Sequence, residues 1–420
     1  EWEDLAEEEW RARLEEALQP YVKRRPWFRG KDRELKNLQI RDAIRMVTDA
    51  GPSLLLFLRT EYIQGEPEEY LLPVAAAAAE EDAQVETSMP QHIIARVLPE
   101  GRSSPLVLYE ATRCKSFCRA VLETVLRRRT LDGSDGELKG TATPALRHTA
   151  ASLLRSGRTE GRAGESGSAS GVQALEPILS HTEHSNGTVV FGDQFFLKLF
   201  RRLEQGVNPE LEIGRVLTKS GLATIPPVVG WLEYRRPTGE TFTAGILTKF
   251  LPHGHDAWAY TIDMLSRYFE RAHTAPTETK LEPLAQGSLL DLAGRDAPET
   301  VVALIGTYIE MARLLGQRSA ELHLALTSDD EHRDFAPEPF TPFYQRSLYQ
   351  SMRNLAVQIF QRLRSETGHL PVETTAVVSK VIGLENEILK RVRRICDAPI
   401  DAKRMRCHGD FHLGQVLFTG

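Results

Sequence analysis

Cysteine is scarce: four residues in 420, Cys114, Cys118, Cys396 and Cys407, too few and too scattered for the disulfide framework of a secreted scaffold. They fit a reducing cytoplasm. Cys114 and Cys118 stand one helical turn apart and could share a metal, but no second Cys/His pair lies near them in the sequence, so they read as structural thiols. Long apolar runs are missing too. "LLLFL" at 54–58 has the length of a buried strand and "AAAAA" at 75–79 is short and weakly apolar, whereas a membrane span needs ~20 apolar residues; no membrane partner is expected. There is no basic arm either. The net charge is −6 with Lys and Arg dispersed along the chain, which excludes a broad nucleic-acid surface. Finally, no Met opens the chain; the acidic "EWEDLAEEEW" is the opposite of a secretory leader and leads us to expect a piece cut from a longer protein.

What remains is ordinary soluble composition and enough length for two or three cooperating domains. Residues 5–20 have helical spacing, the basic-aromatic cluster "RRPWFRGKDR" follows at 24–33, and short strand-like runs near 35–49, 53–63, 70–75 and 91–98 make a mainly β unit. Helical spacing returns at 116–129. The Gly/Ser-rich stretch 155–171 has almost no apolar side chains and is expected to be a flexible loop. A strand-rich region then runs from about 175 to 250, followed by a helical one in which 305–326 and 375–396 are each expected to form a long helix.

The chemistry concentrates in two places. In "SNGTVVFGDQFFLKLF", 185–200, small residues Ser185, Asn186, Gly187 and Thr188 precede a hairpin, and small side chains let backbone N–H groups approach an anion. Lys198 lies between Leu197 and Leu199 in the second strand. The alternatives are a lysine on the solvent face of an edge strand or a buried charge in need of a partner. "NPELEI" next starts a helix, offering Glu212 as that partner and Glu210 as its competitor; a strand Lys paired with a Glu on the following helix is how protein kinases hold the ATP phosphates. We favour Glu212, because Glu210 at the helix start is explained by the helix dipole alone. Backbone groups at Lys249, Phe250 and Leu251, where a strand meets a Pro-Gly turn, occupy the place of a kinase hinge.

The second place is "HGDFHLGQV", 408–416. Asp410 follows a glycine in a tight turn and Gln415 comes five residues later, the same step as the catalytic Asp and metal-binding Asn of the kinase loop. His408 and His412 could instead form an H-x-x-x-H metal pair, but that needs a helix, and Gly409 and Gly414 argue for a loop.

The combination of "WFRGKDR" (27–33), "SNGTVVFGDQFFLKLFRRLEQGVNPELEI" (185–213), "GQRSAELHLAL" (316–326) and "RCHGDFHLGQVL" (406–417) resembles the bacterial maltokinases, including those fused behind trehalose synthase. The resemblance implies an α+β, bilobal, protein-kinase-like (aminoglycoside-phosphotransferase-like) fold behind an N-terminal β cap. It also implies ATP and Mg²⁺ as cofactors, maltose or a related disaccharide as substrate, and maltose 1-phosphate for α-glucan synthesis as product. By the same resemblance Asp410 is the catalytic base, Gln415 a magnesium ligand, Lys198 with Glu212 the phosphate-binding pair, and Ser185 to Thr188 the phosphate loop. Two departures stand out: the hinge continues as His255-Asp256-Ala257-Trp258 rather than Gly-Asp-Gly-Trp, and the chain stops short of the Asp-Phe-Glu-Gly-Glu-Pro segment whose Asp binds magnesium. A truncated C-terminal lobe, inactive by itself and with apolar helix faces exposed, is therefore expected. The domain boundaries expected are 1–105 for the cap, 106–180 for an intermediate subdomain, 181–252 for the nucleotide lobe and 253–420 for the helical lobe. An aminoglycoside- or choline-type phosphotransferase and a non-catalytic kinase remnant are the competing readings.

Overall fold

The computed structural model of the chain describes residues 8–77, 90–98, 105–146, 175–179, 185–252, 255–274, 288–327 and 333–419. The expected loop at 155–171 lies outside them. Residues 1–309 and 412–420 form one unit and 310–411 a second.

The first unit opens with α1 (Glu8–Lys23), whose Leu14, Leu18, Tyr21 and Val22 fall on one face and are buried. They pack on an antiparallel sheet of β1 (Leu35–Thr48), β2 (Gly51–Tyr62), β3 (Glu68–Ala77), β4 (Ile93–Val97) and β5 (Leu106–Glu110), in the order β1-β2-β3-β5-β4. "LLLFL" is apolar throughout because β2 is covered on both faces: Leu54, Leu56 and Leu58 meet α1, while Leu55 and Phe57 join the core behind the sheet. In β1 a bulge between Ile40 and Asp42 switches the inward face. Leu38 and Ile40 precede it on the α1 side, and Ile44 and Met46 follow it on the other.

Strand β5 was expected to lie outside the first domain. Its pairing with both β3 and β4 corrects the boundary at 105, which cuts the sheet. Next come α2 (Lys115–Leu126), β6 (Thr130–Asp132), β7 (Glu137–Ala142), β8 (Pro177–Leu179), β9 (Gly187–Phe191), β10 (Phe195–Leu199), β11 (Arg202–Leu203), α3 (Pro209–Lys219), β12 (Val228–Arg235) and β13 (Thr241–Lys249). All these strands except β11 build a second sheet, ordered β6-β7-β12-β13-β10-β9-β8. The expected intermediate subdomain 106–180 is thus divided: β5 completes the first sheet, and β6, β7 and β8 supply both edges of the second. Phe117, Cys118, Val121, Leu122 and Val125 of α2 share one core with residues of both sheets. Asp42, fully buried just after the bulge, accepts hydrogen bonds from Ser134 N–H (2.7 Å), Asp135 N–H (3.1 Å) and the Tyr234 hydroxyl (2.7 Å), fastening the β6–β7 turn and β12 to the first sheet.

The helical part contains β14 (His255–Asp256), α4 (Ala257–Thr274), α5 (Leu289–Ala293), α6 (Glu299–Ile305), α7 (Tyr308–Leu326), β15 (Glu338–Pro339), α8 (Pro342–Glu366), α9 (Val372–Gly383), α10 (Glu385–Arg393), β16 (Lys403–Arg404) and β17 (Leu417–Phe418). The first expected long helix forms as α7, unbroken from Tyr308 to Leu326, whereas the second is interrupted. Gly306, at φ +69°, separates α6 from α7, and Gly383-Leu384 separates α9 from α10. Exposed apolar side chains recur along these helices, among them Phe269, Leu289, Leu324, Phe343, Val372 and Val377.

Candidate active site

β10 alternates buried and half-buried positions, so Leu197 and Leu199 enter the core while Lys198 projects to the other face. It lies in register with Thr188 on β9 and Ile246 on β13. Its ammonium is 2.6 Å from Glu210 Oε2 and 5.8 Å from the Phe200 ring centroid. This corrects the expected pairing with Glu212, for a helical reason. Residues two apart on an α-helix point to nearly opposite sides, so only one of the two can face the strand. The start of α3 decides which: Asn208 caps the helix through its side chain on Glu210 N–H, its own N–H donates to Thr243 Oγ1 at 3.0 Å, and Pro209 fills the first turn.

Of the four small residues, Ser185 and Asn186 precede β9, while Gly187 and Thr188 open it. Ser185 is exposed, Asn186 and Thr188 are half-buried, and Gly187 is buried. A Cβ on Gly187 would stand 3.1 Å from Thr112 Cγ2, so the strand packs closely against the residues just beyond β5, and a side chain here would require that methyl to shift. Asn186 Oδ1 accepts the Arg201 N–H at 3.3 Å. At the end of β13, the N–H groups of Lys249 and Phe250 donate to Pro227 O (2.9 Å) and Gln194 O (2.7 Å). Those two amides are spent inside the protein.

Gln415 and its surroundings belong to the first unit. β17 pairs with β14 through His255 and Phe418, Ala257 N–H donates to Val416 O, and Phe418 stacks on Tyr260 at 4.3 Å. His412 Nδ1 accepts the Gly414 N–H at 3.1 Å, and its Nε2 lies 3.4 Å from the Gln415 amide. His412 is therefore a turn cap, and residues 408–412 are not helical, so the H-x-x-x-H metal pair has no helix to stand on. Asp410 belongs to the second unit. It is exposed, at a bend directly after Gly409 at φ +82°; strands β15 and β16 pair upstream of it.

Among the described residues no group of three or more His, Cys, Asp or Glu side chains could hold a metal. Gln415 offers one neutral oxygen, and Mg²⁺ prefers several hard oxygen ligands with at least one carboxylate. The residues present do not by themselves fit a magnesium ion. Nor do Cys114 and Cys118: the first lies near Ser116 Oγ, and the second is buried, its thiol raised by that burial and donating weakly to Thr112 O.

Sequence reasoning missed the buried charges behind Lys198. Glu110, at the end of β5, is paired with Arg201, two residues beyond the end of β10, and Tyr21, Thr112, His92 and Trp27 surround them. The signal available was the doubled arginine at 201–202 following an apolar strand.

Strands β1 to β5 of the first sheet and the aromatic Trp27-Phe28 packed on Tyr70 lie in one segment of the chain. Residues 21–113 match the maltokinase N-terminal cap domain. The cap thus ends just after β5, in agreement with the strand pairing. Over the whole chain, a glucosamine kinase in complex with glucosamine, ADP and inorganic phosphate is similar at TM-score 0.46 and 13% identity, with 96% of this chain and 69% of that chain covered. Crystal form B of glucosamine kinase is similar at TM-score 0.49 and 13% identity, with coverages of 97% and 69%.

Proposed function

We propose that the chain is an ATP-dependent sugar kinase that converts maltose to maltose 1-phosphate. The observation that carries this reading is the Lys198–Glu210 ion pair, set behind a maltokinase cap. Lys198 lies on the third strand of a run beginning at β8, and its partner opens the helix that follows, the arrangement by which kinases clamp nucleotide phosphates. ATP supplies the phosphoryl group. The Lys198 ammonium binds its phosphates and offsets charge as transfer proceeds. Asp410 orients the anomeric hydroxyl of the sugar and takes its proton. The new bond joins the anomeric oxygen to the γ-phosphorus, the bond from the γ-phosphorus to the β–γ bridging oxygen breaks, and ADP leaves. No covalent enzyme intermediate is required, and no step is assigned to magnesium.

The product would feed α-glucan synthesis, and a fused or associated trehalose synthase would supply the maltose. A reducing cytoplasm suits the four free cysteines, and no helix among the described residues is long and apolar enough to cross a membrane.

The test is twofold: titration of the chain with Mg-ATP by calorimetry, and ³¹P NMR of product formed on maltose, glucosamine, choline and an aminoglycoside. Nucleotide binding is the expected result, with any new anomeric phosphate signal confined to maltose. Phosphorylation of choline or the aminoglycoside instead would replace the substrate, and absence of ATP binding would end the kinase reading.

A further inference from the structure

The chain leaves the lysine strand by an unusual route. After Leu199 it passes through Phe200 to Arg201, which is 3% exposed, and then enters the cap as β11, where Arg202 and Leu203 pair with Tyr70 and Glu69 of β3. Arg201 is a three-way junction. Its N–H donates to Asn186 Oδ1 in the small-residue segment (3.3 Å), and its carbonyl accepts from Leu71 N–H of β3 (2.7 Å). Its Nη2 donates to Glu110 Oε1 of β5 and to Thr112 Oγ1. Glu110, 2% exposed, also receives the Tyr21 hydroxyl from α1 at 3.0 Å and the Thr112 hydroxyl, with His92 Nδ1 3.8 Å away.

Stability alone is a weak reason for this pair. Arg201 Nε and Nη1 are buried with no hydrogen-bond partner, and burying charges costs enough that well-packed apolar residues of similar volume often serve as well or better. What the pair does supply is direction: a buried charge pair with fixed partners admits one register.

We propose that Arg201 and Glu110 are a positioning pair through which the cap fixes the Lys198 strand and the Ser185–Thr188 segment. Its bearing on nucleotide rests on the function proposed above. Neither residue touches the substrate; they act through Lys198 and Asn186.

The experiment compares the wild-type chain with Glu110→Gln and with the double variant Arg201→Met/Glu110→Met, in which two flexible apolar side chains replace the pair. Hydrogen–deuterium exchange is read at 185–203 and, as an internal control, at 35–62, beside calorimetric Mg-ATP binding and the KM values for ATP and sugar. The double variant is expected to melt within a few degrees of wild type, yet exchange at 185–203 should quicken by about tenfold or more while 35–62 is unchanged. Affinity for Mg-ATP should fall roughly tenfold with the sugar KM unmoved. If the double variant does not fold, Glu110→Gln carries the same comparison. A folded variant with wild-type exchange at 185–203, or one whose exchange rises uniformly, overturns the proposal. If the wild-type chain binds no Mg-ATP, the kinase reading fails, and the exchange pattern still decides whether the pair fixes the strand.

Discussion

Lys198 sits between two buried leucines, but its ion pair with Glu210 is partly open to solvent, with side chains 26% and 46% exposed. A pair so placed contributes about 0–1 kcal/mol to stability, so its substitution reads out chemistry rather than folding. Glu210→Gln should lower kcat/KM for ATP by roughly tenfold with little change in melting temperature, and Glu212→Gln should do less; the opposite order, from steady-state kinetics, would return the role to Glu212. Under the proposed function, Asp410→Asn should cost about 10²–10⁴-fold in kcat while nucleotide Kd stays put, since the base it would supply acts on the acceptor hydroxyl. Glu110 titrates differently. Burial raises its carboxyl, but the Arg201 guanidinium, with His92 and Thr112, outweighs burial and holds it well below the usual carboxylate range. Its ionised form therefore stabilises the fold fully above the ordinary range near 4.3, and that stabilisation is lost as pH falls below it. Melting temperatures measured from pH 6 to 3 should drop more steeply in wild type than in Glu110→Gln; parallel curves would show that Glu110 is not a source of acid sensitivity. At this scale the sequence displayed Lys198 between two core leucines and Asp410 directly after a glycine of left-handed backbone. It could not choose between Glu210 and Glu212, because that choice depends on where Asn208 starts the helix.

Elements with a clean period were the legible ones. β1 to β4 announced themselves by short apolar runs between Gly, Pro and Glu clusters, and α2 by its buried face. β5 did not, because "LVLYE" is buried at all five positions and shows no alternation to separate it from the following helix. β6 and β7 hid in "TLDGSDGELKGTA", where polar and glycine residues outnumber apolar ones. The exit from α2 was also invisible. Arg128 adopts φ +54°, with Arg128 N–H on Val125 O and Arg129 N–H on Thr124 O, a helix ending that glycine normally supplies. Arg128→Gly should stabilise the protein by about 0.5–1 kcal/mol in urea unfolding, relief of left-handed strain exceeding the added freedom of the unfolded chain. A loss of stability would mean that the Arg128 side chain does more than tolerate its backbone.

Across the first unit, the cap and the second sheet share one apolar core and two buried polar joints, at Asp42 and at Glu110. They are expected to melt together. Asp42→Ala would leave the Ser134 and Asp135 amides and the Tyr234 hydroxyl without their acceptor, a loss of about 3 kcal/mol or more. Calorimetry should show one transition for residues 8–252 that moves down as a whole. A separate early transition for the cap would show that Asp42 merely decorates a modular boundary.

The passage of the chain from β10 straight into β3's edge has a consequence for descent. A cap joined to its enzyme by a linker can be gained, lost or exchanged by a single genetic event. Here the strand carrying Lys198 and the strand completing the cap are one continuous stretch of backbone, and Glu110 and Arg201 answer each other from opposite sides of the seam. Shedding the cap would strand a buried arginine beside the lysine strand. Lineages are therefore expected to keep cap and lobe together, and to change positions 110 and 201 in concert or not at all.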